Sequence, residues 1–451
     1  MVSFLHFPTT SDAFSSLPFN IIKPEDKPAF HLLMEIIFLE TGPRSARRQW
    51  QKAQLNNLLN HAKQRSKFWR ERLEARKISA SSFDKLPALT RTEVNQQIAD
   101  EGSLLSAKDQ IQLLSRATSG STGEPVNFHA TSANAIFNEV RAFAQYLIED
   151  RDISLNRCRF HYDPRKPRFS FTDEKTFAGS LSRIFQTGKN AELHYFSLDF
   201  DRIITKLSSY KAHYIVCLPQ FLEAMVSLKG ASIFKQFDTR LVVTYGQATS
   251  PAVIEALAQS GIDHTSSYSC EEVGLIGSEC RHHKGFFHVA ESNVLVEAGD
   301  LAVEIDGREC RNLLVTGLHT YATPFIRYDV GDLGELKDRC PCGHEGTVIT
   351  HLHGRVAATL KLPDGRRRPF FLAAQLLQEI VRYEDLRVRQ ISSDTVTVEI
   401  VAPVPEPDTA ERLQTYLEGI CGPQFTVMIK FCAQIDWGAA SKKHLFLCQA
   451  P

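Results

Sequence analysis

Long apolar runs are absent from this sequence, and so is the pattern that opens a secretory signal. No stretch approaches the roughly 20 consecutive apolar residues that a membrane-spanning helix needs. Residues 1–8 (MVSFLHFP) lack a basic segment followed by an apolar one, which is how a signal peptide begins. We therefore expect a globular protein that neither crosses a membrane nor carries a secretory signal.

An excess charge is also lacking, because 52 lysines and arginines balance 52 aspartates and glutamates. Recruitment of nucleic acid or an anionic membrane by a global positive field is therefore not expected. Ten cysteines are scattered over 451 residues, a pattern typical of reduced thiols and not of a disulfide framework. These features predict a cytoplasmic location, and none of them fixes an oligomeric state.

Alternating strand and helix patterns indicate an α/β protein. Apolar runs at 214–218 and 241–245 predict short strands, and helical patterns follow them at 220–228 and 251–260. Such alternation is typical of parallel β-α-β layers.

The length of 451 residues predicts two or three domains. We predict a large N-terminal domain of layered α/β sheets over residues 1–353, with a small antiparallel β subdomain within 286–336. A small mobile α+β lid domain is predicted over 354–451, with its clearest strand at 395–401 and a helix at 409–419.

Helix-forming segments are predicted before and after the centre of the N-terminal domain. Apolar spacing predicts helices over 44–76 and 133–149. Thr90 is placed to cap a helix that starts near Glu93. The prolines and aromatics of residues 1–40 predict an irregular arm.

Hydroxyl side chains and two glycines crowd segment 115–125 (SRATSGSTGEP). Gly120 and Gly123 permit the sharp turns that bring backbone N–H groups close to an anion. The hydroxyl donors are Thr118, Ser119, Ser121 and Thr122. No lysine follows Gly123, which excludes the GxxxxGKS/T loop of P-loop nucleotidases. The segment is a candidate polyphosphate loop that feeds the helix at 133–149, and a polar surface turn is the alternative.

A glycine turn, Gly246-Gln247-Ala248, follows the predicted strand 241–245. Ligands of open α/β sheets bind beyond the carboxyl ends of the strands. A glycine at that place lets a flat ring approach the backbone. We predict a ligand contact there, with a plain strand-to-helix turn as the alternative.

Carboxylates stand at two further loops. Glu271 and Glu272 follow an aromatic residue in segment 266–274 (SSYSCEEVG), and one of them is a candidate ligand for Mg²⁺, which prefers oxygen ligands. Asp332 follows a glycine at the end of an apolar run and is placed to accept hydrogen bonds from a ribose diol. Solvated surface carboxylates are the alternative at both places.

A possible zinc cluster is formed by cysteines and histidines of two separate segments. Cys340 and Cys342 form a CxC pair, and Cys280 lies upstream. Three cysteines and one histidine are a common structural zinc set. The fourth ligand is His288 or His283, and free thiols beside surface histidines are the alternative.

Taken together, these motifs resemble those of the adenylate-forming superfamily, which includes acyl-CoA synthetases, peptide-synthetase adenylation domains and firefly luciferase. Segment 118–125 (TSGSTGEP) is nearly its phosphate-loop consensus. In the same order follow 268–272, similar to YGxTE, then 328–332, similar to YRTGD, then the hinge pair Gly354-Arg355. The segments most similar to the phenylacetate-CoA ligase branch are 58–73, 86–90 and 279–288.

The resemblance implies activation of a carboxylate by ATP to an acyl-adenylate, with release of pyrophosphate. The phosphates would be held by Thr118, Ser119, Gly120, Ser121, Thr122 and Gly123. Adenine would be flanked by Gly246, Gln247 and Tyr268, with Ala248, Ser267 and Ser269 beside them. Glu272 would hold Mg²⁺, and Asp332 would bind the ribose hydroxyls. Arg355 would follow the ribose contact, at the hinge between the two domains. The lid lysine is assigned to Lys442, with Lys443 second. Thr118, Glu272 and Lys442 would thus be the catalytic residues.

The chain departs from the superfamily pattern at three places. Glu271 stands where the family has Thr or Ser, Ala358 replaces an Asp at the hinge, and Lys442 lies in an Ala-Ser-Lys-Lys context. Adenylate formation depends less on the hinge than thioester formation does, so adenylation is the firmer expectation.

The main hypothesis is an ATP- and Mg²⁺-dependent enzyme for an aromatic or small planar carboxylic acid. The acceptor would be CoA, a carrier-protein thiol, an amine or another nucleophile. A catalytically weak nucleotide-binding scaffold is the second hypothesis. A zinc-dependent enzyme with catalytic cysteines is the third.

Overall fold

The computed structural model describes most of the chain. The described residues are 22–23, 25–109, 111–118, 125–162, 169–176, 179–195, 200–305, 307–355, 359–364, 367–370, 372, 377, 380–437 and 446–450. Within these ranges no helix is long and apolar enough to cross a membrane.

Helices lie before the first strand and in the connections between strands. They are α1 Lys27–Thr41, α2 Arg44–Arg65, α3 Lys67–Glu74, α4 Arg91–Glu101, α5 Ser132–Ile148, α6 Phe200–Tyr210, α7 Pro219–Lys229, α8 Pro251–Gln259 and α9 Pro407–Cys421. Short 3-10 turns lie at 83–85, 107–109, 179–183 and 231–237.

The strands up to Arg355 build one large sheet and a hairpin. They are β1 Leu113–Ala117, β2 Asn127–Thr131, β3 Arg157–Tyr162, β4 Phe169–Thr176, β5 Lys189–Tyr195, β6 Tyr214–Cys217, β7 Leu241–Tyr245, β8 Asp263–Cys270, β9 Gly274–Glu279, β10 Phe287–Val289, β11 Val294–Ile305, β12 Arg308–Gly317, β13 Tyr328–Arg339 and β14 Glu345–Arg355. The remaining strands are β15 Thr359–Lys361, β16 Arg367–Pro369, β17 Asp385–Gln390, β18 Thr395–Val401, β19 Thr426–Cys432 and β20 Phe446–Cys448.

Twelve strands form one sheet in the order β11-β12-β13-β14-β10-β9-β8-β7-β6-β3-β5-β4. The run β8-β7-β6-β3-β5 is parallel, and every other pairing in the sheet is antiparallel. The predicted α/β layers and the antiparallel β region are thus confirmed, and the two are halves of one continuous sheet.

The parallel half of the sheet has an apolar core on each face. On one face, Cys158, Leu193 and Ile215 pack among the helices α6, α7 and α8. On the other, Tyr214 and Leu241 pack against α1 and α5. The helices cover the two faces of the sheet, and polar residues follow the carboxyl ends of the strands, where open α/β sheets bind their ligands.

A helix occupies the last part of the N-terminal segment for which an irregular arm was expected. The prediction is wrong at Lys27–Thr41, where α1 buries Phe30, Leu33 and Ile36. Pro28 lies in the first turn of this helix, where the missing N–H costs nothing. The spacing of the three apolar residues is helical, and the nearby prolines hid that signal.

Helix ends follow the capping chemistry of the sequence. Thr90 accepts a hydrogen bond from the N–H of Glu93, and Glu93 accepts one from the N–H of Thr90, a capping box that stabilises α4 by about 1 kcal/mol. The helical region predicted over 44–76 consists of two helices, α2 and α3. Ser66 ends α2 in extended backbone and caps α3 through the N–H of Trp69.

Four strands between Asp385 and Cys448 form a separate sheet in the order β19-β18-β17-β20. The pair β17 and β18 is antiparallel, and both outer pairs are parallel. Helix α9 packs on this sheet through Leu413 and Leu417, opposite Val388 and Val398. The predicted α+β character of the C-terminal region is confirmed. Strand β14 of the large sheet continues to Arg355, two residues beyond the predicted end of the N-terminal domain at residue 353. The boundary between the two domains stays a prediction.

Candidate functional site

The glycine loop lies between two antiparallel strands. Strands β1 and β2 pair from Leu113↔Thr131 to Ala117↔Asn127, and the loop connects them. Thr118 closes its base, since its N–H donates to the Val126 carbonyl and its hydroxyl accepts from the Val126 N–H, both at 2.9 Å. The rest of the predicted phosphate loop, residues 119–124, lies outside the described residues.

Helix α5 does not start at this loop, contrary to the expectation that the loop feeds a helix. Strand β2 intervenes, and α5 is capped by Thr131 and Asn134. Its positive N-terminal end is therefore not at the loop. The phosphate binding predicted for this loop would therefore depend on the N–H groups and hydroxyls of the loop and not on a helix end.

The predicted adenine contacts lie at the carboxyl ends of β7 and β8. Gly246 follows β7 with φ +82°, and Gln247 and Ala248 beside it are exposed. Tyr245 and Ser267 are register partners across β7 and β8, so the glycine turn lies beside the predicted contacts Ser267, Tyr268 and Ser269. A positive φ favours glycine at position 246.

A buried polar network lies behind this turn. The Thr244 hydroxyl is 2.8 Å from the Thr249 hydroxyl, 2.9 Å from His264 Nε2 and 3.2 Å from the Ser266 hydroxyl. The network joins both sides of the turn at 246–248 to strand β8. Burial lowers the pKa of His264 to about 4, so the ring is neutral at pH 7.

The predicted ribose residue is joined to the predicted adenine residue by a hydrogen bond. The Tyr268 hydroxyl donates to Asp332 Oδ2 at 2.8 Å. Asp332 lies on β13 directly after Gly331, whose φ is +82°. Arg355 is the register partner of Asp332 on β14. Three residues predicted to contact one nucleoside thus share one corner of the sheet.

The predicted Mg²⁺ ligand, Glu272, is only 7% exposed. Its Oε1 accepts a hydrogen bond of 2.9 Å from the hydroxyl of Tyr328. Tyr328 is fully buried, and burial and the nearby Glu272 carboxylate raise its pKa, so it stays a hydrogen-bond donor. Neighbouring Glu271 is exposed.

The predicted zinc ligands converge on one point at the antiparallel end of the sheet. Ligand atoms of Cys280, His288, Cys340 and Cys342 all lie within 4.8 Å of one another. Cys280 follows β9, His288 is on β10, and Cys340 and Cys342 lie within the β13–β14 turn. His283 is not in the cluster, so His288 is the histidine that the fold brings to the cysteines.

Two distances between ligand atoms in this cluster match tetrahedral zinc. Sulfur and nitrogen ligands at about 2.3 Å and 2.05 Å place two sulfurs about 3.8 Å apart and a sulfur and a nitrogen about 3.6 Å apart. The Cys340 and Cys280 Sγ atoms are 3.7 Å apart, and Cys342 Sγ lies 3.5 Å from His288 Nε2. The residues therefore fit a zinc ion.

Around the cluster, His344 stacks on His288 with ring centroids 4.2 Å apart. Arg47 of α2 forms a buried ion pair with Glu291 at 2.5 Å and donates to the carbonyl of Glu345. Helix α2 therefore contacts the large sheet, through Arg47, next to this cluster. Sequence reasoning missed His344 and Arg47, since neither lies in a recognisable ligand spacing.

No protein-family model and no curated protein matches the sequence. Solved structures do match. A 2-hydroxyisobutyryl-CoA ligase in the postadenylation state, in complex with 2-HIB-AMP, is 14% identical, with 91% of each chain covered and a TM-score of 0.63. The same ligase with 2-HIB-AMP and CoA in the thioesterification state is 15% identical, with 92% of each chain covered and a TM-score of 0.57. The chain has the fold of the adenylate-forming ligases.

Within this fold, Gly246, Tyr268 and Glu272 lie at or just after the carboxyl ends of β7 and β8, and Asp332 is hydrogen-bonded to Tyr268. Lys442, Lys443 and Ala358 are outside the described residues, and so is the Arg355 side chain, although its backbone belongs to β14. Sequence reasoning also missed the Tyr328–Glu272 bond. Glu272 belongs to the motif at 268–272 and Tyr328 to the motif at 328–332, and their pairing depends on β13 lying near the β8–β9 turn.

Proposed function

We propose that this protein activates a small carboxylic acid with ATP and transfers the acyl group to CoA. The observation that carries the proposal is the Tyr268–Asp332 hydrogen bond of 2.8 Å. It places the predicted adenine and ribose contacts together, on a fold whose solved example holds an acyl-adenylate and CoA.

The first step joins the acid to AMP. A carboxylate oxygen of the acid attacks the α-phosphorus of ATP, the bond from that phosphorus to the bridging oxygen breaks, and pyrophosphate leaves. Because two anions must approach, the site has to neutralise charge and hold the groups in line. Asp332 and Tyr268 hold the nucleoside, and Thr118 to Gly123 hold the leaving pyrophosphate.

Glu272 fits a divalent cation. It is buried, and among the described residues it forms no ion pair with a lysine or arginine. A buried carboxylate is normally paired or bound to a metal, and the Tyr328 hydroxyl fixes its orientation. When bound there, Mg²⁺ would neutralise phosphate charge. The side chain of Lys442 is assigned to the α-phosphate.

The second step transfers the acyl group. The thiolate of CoA attacks the acyl carbon of the adenylate, and AMP leaves with the electron pair of the broken C–O bond. CoA is preferred as the acceptor because the solved ligase of this fold binds it. A carrier-protein thiol or an amine remains the alternative acceptor, and an aromatic or planar acid remains the prediction from the phenylacetate-CoA ligase resemblance.

We assign zinc a structural role at Cys280, His288, Cys340 and Cys342. Four protein ligands close the coordination shell, which is typical of structural sites, whereas catalytic zinc keeps an open position. The ion would tie the β13–β14 turn to β9 and β10, away from the Tyr268–Asp332 corner. This assignment opposes the hypothesis of catalytic cysteines.

Acid-dependent exchange of labelled pyrophosphate into ATP tests the first step. Wild-type protein with Mg²⁺ should catalyse exchange with at least one acid of a panel that includes aromatic and aliphatic members. Glu272→Gln should lower the rate by about 100-fold or more, and the exposed neighbour variant Glu271→Gln serves as the matched control.

The scaffold hypothesis makes the opposite prediction in the same experiment. ATP binding, measured by calorimetry, without exchange for any acid would overturn the proposed function in favour of a nucleotide-binding scaffold. Equal losses in the two glutamate variants would overturn the assignment of Glu272 alone.

A further inference from the structure

One face of β3, the third strand from the β4 edge of the large sheet, carries charged and polar residues. Cys158 and Phe160 point into the core on one face, and Arg159 and His161 alternate with them on the other. Strand β3 is hydrogen-bonded on both sides, to β5 and to β6. Arg159 is nevertheless exposed, so this part of the sheet face is open.

The Arg159 guanidinium lies close to the glycine turn at 246–248, which is predicted to contact adenine. Its Cζ lies 5.5 Å from the centre of the Tyr245 ring, and Tyr245 is the residue before Gly246. The Tyr245 hydroxyl donates to the Phe160 carbonyl at 3.2 Å, which fixes the ring. Among the described residues, Arg159 has no carboxylate within ion-pair distance. An arginine fork is suited to bidentate binding of a carboxylate.

Two stacked imidazoles lie beside the arginine. His161 and His194 are register partners on β3 and β5, with ring centroids 4.8 Å apart and planes 16° apart. His161 Nε2 and His194 Nδ1 are buried and have no hydrogen-bond partner. Burial lowers the pKa of His161 to about 4, so the ring is neutral at pH 7. Unsatisfied buried nitrogens are costly, and a ligand oxygen or hydroxyl would satisfy them.

Other charged groups face the cluster from each neighbouring element. Arg157, further along β3, contacts Asn190 Oδ1 at 3.4 Å, and Glu192 Oε2 lies 3.7 Å from His194 Nε2. Glu271 approaches Tyr245 from the β8–β9 turn and is exposed. Among the described residues, Arg159 contacts the Tyr245 side chain and forms no ion pair with a carboxylate.

We propose that Arg159, with His161 and His194, binds a second carboxylate of the acid substrate, so that the protein activates dicarboxylic acids. This inference rests on the proposed function, because it places the far end of the acid relative to the adenylate. The activated carboxyl lies near Gly246 and Tyr268, and the second carboxylate lies over β3.

The spacing of the strands limits the length of the acid. Neighbouring strands are about 4.8 Å apart, so β3 lies about 10 Å from β7 across β6. The Arg159 side chain extends over most of the distance from β3 to β7, since its guanidinium contacts the Tyr245 ring at the end of β7. The space that remains suits a short aliphatic dicarboxylate or a benzene dicarboxylate. Both present the same second carboxylate, and the test separates them.

Pyrophosphate exchange with matched acid pairs tests the inference on the full chain. Succinate is compared with butyrate, and isophthalate with benzoate. We expect kcat/KM to be at least 10-fold higher for the dicarboxylate of one pair, and that pair identifies the aliphatic or the aromatic class. Exchange with the monocarboxylates and none with the dicarboxylates would overturn the second-carboxylate site and leave the proposed function standing. Exchange with no acid would overturn both.

Variants at Arg159 test its role separately from folding. Arg159→Gln should lower the dicarboxylate-to-monocarboxylate ratio of kcat/KM by about 10- to 100-fold, because a charge-assisted hydrogen bond is lost. Arg159→Lys keeps the charge but loses the fork, so it should lower the ratio less. Arg240→Gln, an exposed arginine before the amino end of β7, is the matched control. An unchanged ratio in Arg159→Gln would contradict the assignment.

Discussion

The Tyr268 hydroxyl donates a 2.8 Å hydrogen bond to Asp332 across 64 residues of sequence. Tyr268 is near the end of β8, in the parallel half of the sheet, and Asp332 is on β13, in the antiparallel half. The bond therefore couples the two halves at the corner that we assign to the nucleoside. Binding of a ligand that contacts both residues would therefore depend on the relative position of the two halves of the sheet.

Removing the Tyr268 hydroxyl should weaken nucleotide binding. In Tyr268→Phe, Asp332 loses a partner that holds it in place, which costs about 1 kcal/mol. We expect the KM for ATP in pyrophosphate exchange to rise about 5-fold, with a smaller change in kcat.

The matched control for this variant is Tyr214→Phe. The Tyr214 hydroxyl donates to the Asp152 carbonyl at 3.1 Å, near the amino end of β6. This variant removes a hydroxyl of the same kind at the far end of the strands. Equal rises in KM for both variants would contradict a specific role for the Tyr268–Asp332 bond.

Local patterns predicted the strands and most of the helices. The strands expected at 241–245 and 395–401 have those bounds in the structure, since runs of β-branched and apolar residues between turn residues are a strong local signal. The motif spacing also predicted the four-residue metal cluster up to the choice between two histidines. These features depend on the order of residues within short windows.

Pairings over long distances were not predictable from such windows. The Tyr328–Glu272 bond and the Asp332–Arg355 register depend on how β13 lies between β12 and β14. The open face at Arg159 depends on which helices cover the sheet. Sequence periodicity gives the face on which a residue lies, but it does not tell whether another element covers that face.

Loss of a cysteine ligand should remove zinc and destabilise the protein. We expect one zinc per chain by atomic emission, and Cys340→Ser should lower both the zinc content and Tm, because bound metal contributes to folding free energy. Cys432→Ser, in the C-terminal sheet, is the control and should keep the zinc.

The same measurement separates structural from catalytic zinc. If the zinc is structural, chelation by phenanthroline should lower Tm, and pyrophosphate exchange should be lost only as the protein unfolds. Loss of exchange from a chelated protein with an unchanged Tm would contradict the structural role. Absence of stoichiometric zinc, with an unchanged Tm for Cys340→Ser, would contradict the site itself.

Acid should destabilise the fold through His264. Its pKa is about 4 when folded and 6.5 in the unfolded reference. Between these values the unfolded chain binds a proton that the folded chain does not, so folding stability falls as the pH drops from 6.5 to 4. The expected loss from this residue is about 3 kcal/mol.

Urea unfolding at several pH values measures this contribution. His264→Gln keeps a side-chain group able to hydrogen-bond Thr244 but cannot take up the proton, so stability should depend less on pH between 6.5 and 4. The exposed His282→Gln is the control. A slope as steep in His264→Gln as in the wild type would contradict the assignment.

Replacing the lid lysine should impair the first step selectively. Adenylate formation brings the acid carboxylate to the α-phosphate, and a positive charge placed there stabilises the transition state. We expect Lys442→Ala to lower pyrophosphate exchange by about 100-fold or more, with an unchanged Tm and near-normal ATP binding. Lys443→Ala, one residue away, is the matched control with the same loss of charge. Exchange that persists in both variants would contradict the lysine assignment, whereas a loss confined to Lys443→Ala would move the role by one residue, because the Ala-Ser-Lys-Lys segment offers two neighbouring cations for one phosphate.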